Sequence, residues 1–211
     1  MIEGGENLHT EFKREFSSHE KIAREMIAFA NTKGGFLIFG VDDDKTIVGV
    51  ESEKEEAELI SEVANDYCEP PLRYLIEYIN VFNKELVVIE VPESENKPHR
   101  LQDYLPEFDI TKAAVYVRVN DKSMIASKEM MRILRTNKSE NELKKYVIGK
   151  NEQIVFDHLD KNETINVKVL SQIANISERR ASRTLVKMVR AHLVYIHTKD
   201  NGEEYFTYAG S

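Results

Sequence analysis

The residues best placed for chemistry are four cations near the C-terminus. Arg179, Arg180, Arg183 and Lys187 recur at helical spacing, while Ala181, Leu185, Met188 and Val189 mark the opposite, core-facing side. Ser182 and Thr184 are expected beside the cations. Guanidinium and ammonium groups on one exposed helix face suit phosphate oxygens, and arginine also suits the paired acceptors of a guanine edge. Lys199, in the Lys199-Asp200-Asn201-Gly202 turn, adds a candidate phosphate contact. Asp200, Glu203 and Glu204 in the same stretch speak against a long basic arm reaching into a minor groove.

Other constellations fail on inspection. Gly35-x4-Gly40 has the glycine spacing of a phosphate loop, but Val41-Asp42 stands where lysine and serine or threonine are needed, so ATP binding is not expected. The histidines, at 9, 19, 99, 158, 192 and 197, include no pair at i,i+3 or i,i+4 spacing. The single cysteine, Cys68, excludes an intrachain disulfide framework and a cysteine-rich zinc site.

Charge is unevenly spread. Of 37 acidic and 29 basic residues, 27 and 18 respectively precede position 139, so the net charge of −8 belongs to the first part of the chain. The remainder is close to neutral and leaves its cations available to an anionic partner. No apolar run approaches the ~20 residues that span a bilayer, and the N-terminus lacks a signal-peptide core. A cytoplasmic protein with no membrane partner is expected.

The elements that must position these groups are legible from periodicity and punctuation. Leu8 to Phe16 reads as a strand carrying Glu11 and Lys13 on one face. Ser17-Ser18 precedes a helix to about Asn31, with Ile22, Met26, Phe29 and Ala30 on its apolar side. Gly34-Gly35 turns the chain, Phe36 to Phe39 reads as a strand buried on both faces, and Asp42-Asp43-Asp44 makes a turn before a short strand at Ile47-Val48-Gly49. Asn31 and Thr32 are expected to cap the helix end and bond to the strand that follows, rather than touch a ligand. A charged helix over 53–65 ends at Pro70-Pro71. A hairpin turning at Asn83-Lys84, a strand over 113–119 and a helix over 128–135 complete a mixed α+β region. Beyond a polar stretch, the order changes to helix (151–159), short strand (164–166), helix (167–174), turn, Ser177-capped helix to about Ala191, and a two-stranded hairpin.

Phe29-Ala30-Asn31-Thr32-x-Gly34-Gly35, Gly40-Val41-Asp42-Asp43, Ile47-x-Gly49 and Glu6-x4-Glu11-Phe12-Lys13 together resemble the Schlafen AlbA_2 domain family over roughly residues 1–135. Its members are widely labelled DNA-binding or transcriptional-regulator proteins. Animal Schlafen relatives carry a nuclease site of two glutamates and an aspartate. The resemblance places these at Glu6, Glu11 and Asp43, where three converging carboxylates would hold a divalent metal for phosphodiester cleavage. Lys13 would then neutralise a phosphate. Independently, the C-terminal run resembles a winged helix-turn-helix, whose second helix of the pair enters the major groove.

The fold expected is α+β: an AlbA_2-like mixed sheet with flanking helices over 1–136, a linker over 137–150 and a winged helix-turn-helix domain over 151–211. The function expected is transcriptional regulation by a homodimer on duplex DNA through Arg179, Arg180, Arg183, Lys187, Lys199 and Lys13. The AlbA_2 domain would oligomerise, sense or add a nucleic-acid contact. Binding ranks above catalysis, the alternative being a nuclease using Glu6, Glu11 and Asp43. A module for protein–protein assembly is the third reading. No resident cofactor is expected, Mg²⁺ or Mn²⁺ belonging to the nuclease reading alone.

Overall fold

The computed structural model describes residues 2–135 and 146–209. The chain divides into two compact units, Met1–Met131 and Arg132–Ser211. Positions 137–145 of the expected linker lie outside the described residues, and 146–149 have no regular structure.

The first unit is built on a four-stranded mixed sheet, of order 10–13, 35–39, 84–91 and 75–81. Strand β1 (Thr10–Lys13) runs parallel to β2 (Gly35–Phe39), Glu11 lying beside Leu37, and helix α1 (His19–Asn31) makes the crossover between them. Strands β4 (Leu75–Val81) and β5 (Lys84–Val91) form an antiparallel hairpin, and β5 lies antiparallel against β2. The hairpin turns through Phe82-Asn83, both at positive φ, one residue earlier than the sequence suggested.

Helix α1 starts at Ser18, whose hydroxyl accepts the Lys21 N–H at 3.4 Å. It presents Ile22, Met26, Phe29 and Ala30 to Leu37, Phe39, Val87, Ile89 and Val91 of the sheet. Helix α2 (Glu53–Glu62), capped by Ser52, adds Ile60, and the π-helical turn Val63–Tyr67 adds Val63 and Ala64. Ile38, Leu86 and Val88 point to the other side and form a smaller cluster with Phe12 and Val41. The apolar β2 run is therefore covered on both faces.

The corner between α1 and β2 depends on its glycines. Gly34 sits at φ +73°, and a Cβ there would come within 2.8 Å of the Val91 carbonyl oxygen. At Gly35 a Cβ would collide with the Phe29 ring. Only glycine fits both positions.

Several expected strands are shorter. The Leu8–Phe16 strand contracts to Thr10–Lys13, and Ile47 makes only an isolated bridge to Val41. The 113–119 strand contracts to β7 (Tyr116–Val119), which pairs with β8 (Lys122–Ile125), a partner that the turn-like Asn120–Ser123 concealed. Two-residue strands β3 (Cys68–Glu69) and β6 (Arg100–Leu101) pair antiparallel. Helix α3 (Lys128–Leu134) begins after Ser127, which accepts the Met130 N–H at 2.9 Å.

The second unit contains α4 (Lys150–Leu159), α5 (Val167–Ile173), α6 (Glu178–Arg190) and an antiparallel hairpin of β9 (Val194–Thr198) and β10 (Glu204–Tyr208). Asn166 and Ser177 cap α5 and α6 through their side-chain oxygens. Val155, Ile165, Leu170, Ala181, Leu185, Met188, Val194 and Phe206 form the core. The expected strand at 164–166 is a single bridge, Ile165 to Phe206. Among the described residues no helix is long and apolar enough to cross a membrane.

Candidate functional site

In the first unit, charge converges on Arg118, whose side chain is 0% exposed. Strand β7 delivers it between β1 and α1. Nη1 donates to Glu11 Oε2 at 3.0 Å, Glu25 Oε2 at 2.9 Å and Ser123 Oγ at 3.1 Å. Nη2 donates to the Asn7 carbonyl at 2.8 Å, and the guanidinium lies 4.7 Å from the centre of the Phe29 ring. Lys13, two residues from Glu11 and on the same side of β1, donates to Glu11 Oε1. Two carboxylates thus face two cations in a nearly closed space.

Burial, with the Glu11 charge next in size, pushes the Glu25 carboxyl above its ordinary range; Ser123, Arg118 and Lys13 oppose that rise. Glu6 is raised too, first by burial, with the charges of Glu11 and Asp43 adding. Its Oε1 accepts the Phe12 N–H at 2.9 Å and so caps β1. Asp43 is exposed in the acidic turn, where its N–H bonds to Asp42 Oδ1 at 3.1 Å. Asp42 pairs with Arg14 at 2.6 Å.

Glu6 therefore lies within electrostatic reach of both Glu11 and Asp43, but each oxygen of Glu11 already receives a cation. Among the described residues no group of three or more His, Cys, Asp or Glu side chains is arranged to hold a metal. Periodicity singled out neither Arg118 nor Glu25. The one available signal for Arg118 was a charged residue inside the apolar Tyr116–Val119 strand.

Asn31 and Thr32 hold the fold across long sequence distances. Asn31 Nδ2 donates to the carbonyls of His99 (2.8 Å) and Tyr116 (2.9 Å), while Oδ1 accepts the His99 N–H at 2.8 Å. Thr32 Oγ1 donates to the Ala28 carbonyl and accepts the Arg118 N–H at 2.9 Å. Thr32 caps the helix end as expected, but the long-range partners of both residues lie at 99–118 and not in the next strand.

In the second unit the cations are arranged differently. Arg180, Arg183 and Lys187 on α6 line a cleft of about 370 Å³ together with Gly149, Lys150, Asn151, Glu152 and Thr184. Lys150 opens α4, and Glu152 turns back to accept the Gly149 N–H at 3.1 Å. Arg179 is exposed in the first turn of α6. Among the described residues none of Lys150, Arg179, Arg180, Arg183 and Lys187 has an ion-pair partner. Lys150 was not foreseen, because it stands at the edge of a polar stretch with no periodic pattern.

Ser182 and Thr184 are buried; Thr184 lines the same cleft as Arg180, Arg183 and Lys187 and donates back to the Arg180 carbonyl at 3.1 Å. At the hairpin tip Lys199 is paired with Glu203 at 2.9 Å and stands 5.8 Å from the Tyr205 ring centre. That hydrogen bond pulls the Glu203 carboxyl below its ordinary range.

Comparison with known proteins adds a family and two structural likenesses. The N-terminal domain of a RecG-related protein from Nitrosomonas europaea is 26% identical, over 48% of this chain and 76% of that one, with a TM-score of 0.39. The DIP2311 protein from Corynebacterium diphtheriae is 18% identical, over 64% of this chain and 29% of that one, with a TM-score of 0.46. The family model described as Schlafen, AlbA_2 matches residues 6–127, which take in β1, α1, the glycine corner and the Arg118 strand. With more than half of its length matched, this chain belongs to the Schlafen AlbA_2 family.

Proposed function

We propose that the chain is a DNA-binding regulator whose second unit is a winged helix that lays α6 against duplex DNA. The observation that carries this reading is the cleft lined by Lys150, Arg180, Arg183 and Lys187, four cations without ion-pair partners among the described residues. They stand in a chain whose net charge is −8, so a general excess of basic residues does not account for them. Unpaired cations on one helix face gain most from an anionic partner, because phosphate contacts release condensed counterions. Arg179, in the first turn, is the cation best set to reach a base edge.

Two copies acting together would bring two α6 helices to successive major grooves about 34 Å apart. The AlbA_2 unit would provide oligomerisation, sensing or further contact. The reading calls for no resident cofactor.

The test is binding of the whole chain to mixed duplex DNA at several salt concentrations. Binding should weaken steeply with salt, and the log–log slope should fall by about one for each phosphate-gripping cation replaced by alanine. Unchanged binding in an Arg180→Ala, Arg183→Ala, Lys187→Ala variant would refute the reading.

A metal-dependent nuclease is the second reading. The charges of Glu11 and Asp43 felt at Glu6 favour it, and the Arg118 and Lys13 pairings of Glu11 weigh against it. Cleavage that requires Mn²⁺ or Mg²⁺ and disappears in Asp43→Ala would establish it.

A further inference from the structure

The loop after β5 joins a serine to a histidine in a cleft that the DNA-binding reading leaves unused. Ser94 Oγ lies 2.7 Å from His99 Nε2, and His99 Nδ1 lies 2.8 Å from the Pro70 carbonyl oxygen. A carbonyl can only accept, so Nδ1 carries a proton and donates it to Pro70. In the neutral imidazole Nε2 is then the acceptor, and the Ser94 O–H points at it. The Asn96 N–H donates to the same Ser94 Oγ at 3.0 Å.

The pair is firmly placed. Asn31 grips the His99 backbone through both its N–H and its carbonyl, and the Ser94 N–H bonds to the Ala30 carbonyl at 2.9 Å. His99 is 2% exposed, while Ser94 is only half-buried and so open to a ligand. Both line a cleft of about 320 Å³ whose apolar lining comes from Ala30, Pro70, Pro71, Leu72 and Pro92.

We infer that Ser94 is an activated nucleophile, with His99 as its general base and the Pro70 carbonyl as the group that fixes the imidazole tautomer. A hydroxyl bonded to a base that is itself oriented by a third group is the arrangement nucleophilic catalysis requires. The chemical class that fits is a small uncharged carboxylic ester whose acyl group packs on the proline-rich lining. Ser94 Oγ attacks the carbonyl carbon and its proton passes to Nε2. The tetrahedral intermediate collapses, the bond to the leaving oxygen breaks, and Nε2 returns the proton to that oxygen. Water then repeats the sequence on the acyl-serine, releasing the acid and restoring Ser94. The N–H of Glu95 and the guanidinium of Arg73, both from residues that line the cleft, have no hydrogen-bond or ion-pair partner among the described residues and are the donors this assignment gives to the oxyanion.

The experiment is labelling of the full chain with an alkyl fluorophosphonate, read by intact mass and peptide mapping. Attack by Oγ displaces fluoride, His99 takes the proton, and a stable phosphonyl-serine remains. A single adduct on Ser94 is expected, absent in Ser94→Ala and formed roughly 10²–10⁴-fold more slowly in His99→Gln. No adduct, an adduct that persists in Ser94→Ala, or equal rates in His99→Gln with an unchanged melting temperature would overturn the assignment. Should His99→Gln fail to fold, hydrolysis of p-nitrophenyl acetate by the native chain and by Ser94→Ala decides. Loss of turnover in Ser94→Ala supports the assignment and equal turnover refutes it.

Discussion

The two units treat charge in opposite ways. In the first, Arg118, Glu11, Glu25 and Lys13 satisfy one another in the interior, and the surroundings hold them in one geometry. In the second, Lys150, Arg180, Arg183 and Lys187 line an open cleft without ion-pair partners among the described residues. A charge already matched inside a fold is costly to remove and has little left to offer a ligand. A charge left unmatched on a surface is cheap to remove and gains only from an outside partner. On the proposed reading, the first set serves stability and the second recognition.

The sharpest way to break this contrast is Arg118→Met. It strands Glu11 and Glu25 with only Lys13 and Ser123 for company, and the expected loss is about 3–5 kcal/mol of unfolding free energy. A urea titration measures it, and a loss below about 1 kcal/mol would mean that the centre is not structural. Asn31→Ala should cost somewhat less, about 2–3 kcal/mol, because it removes the bonds to the His99 N–H and to two carbonyls while leaving no charge unpaired.

Glu25→Gln tests the centre more gently, through pH. Burial holds the Glu25 carboxyl above its ordinary value of 4.5, so the folded chain keeps a proton that the unfolded chain releases. That proton favours folding below 4.5, and its contribution is lost as pH rises through the raised folded value. Wild type should therefore lose stability across that window, and Glu25→Gln should lose less. Denaturant midpoints at a series of pH values read the difference, and parallel curves would contradict it. The smallest effect on stability is expected for Arg180→Ala with Arg183→Ala, within about 0.5 kcal/mol, since both side chains are exposed and unpaired.

How much of this could be read from the chain differs between the units for a physical reason. Helix α1, the glycine corner and β2 announce themselves because amphipathic spacing, a positive-φ corner and an apolar run are all local signals. Helix α6 is equally plain, with Ala181, Leu185 and Met188 buried as their spacing required. The Arg118 centre was not legible, since its partners come from Glu11 and Glu25, 107 and 93 residues away. The β3–β6 pair is too short to carry any pattern. Thr184 is buried although polar, because it satisfies its hydroxyl within the helix. The orientation of His99 toward Ser94 was not legible, because the Pro70 carbonyl that fixes its ring lies 29 residues away.

The central claim, that the unpaired cations of the second unit exist for an anionic partner, is tested most directly by one titration. The whole chain and its Arg180→Ala, Arg183→Ala, Lys187→Ala variant are titrated onto duplex DNA from low to physiological salt, with melting temperatures measured in parallel. The account predicts salt-sensitive binding by the native chain, a slope shallower by about three in the variant, and melting temperatures that coincide. Equal binding by both chains, or no binding by the native chain at low salt, would contradict it.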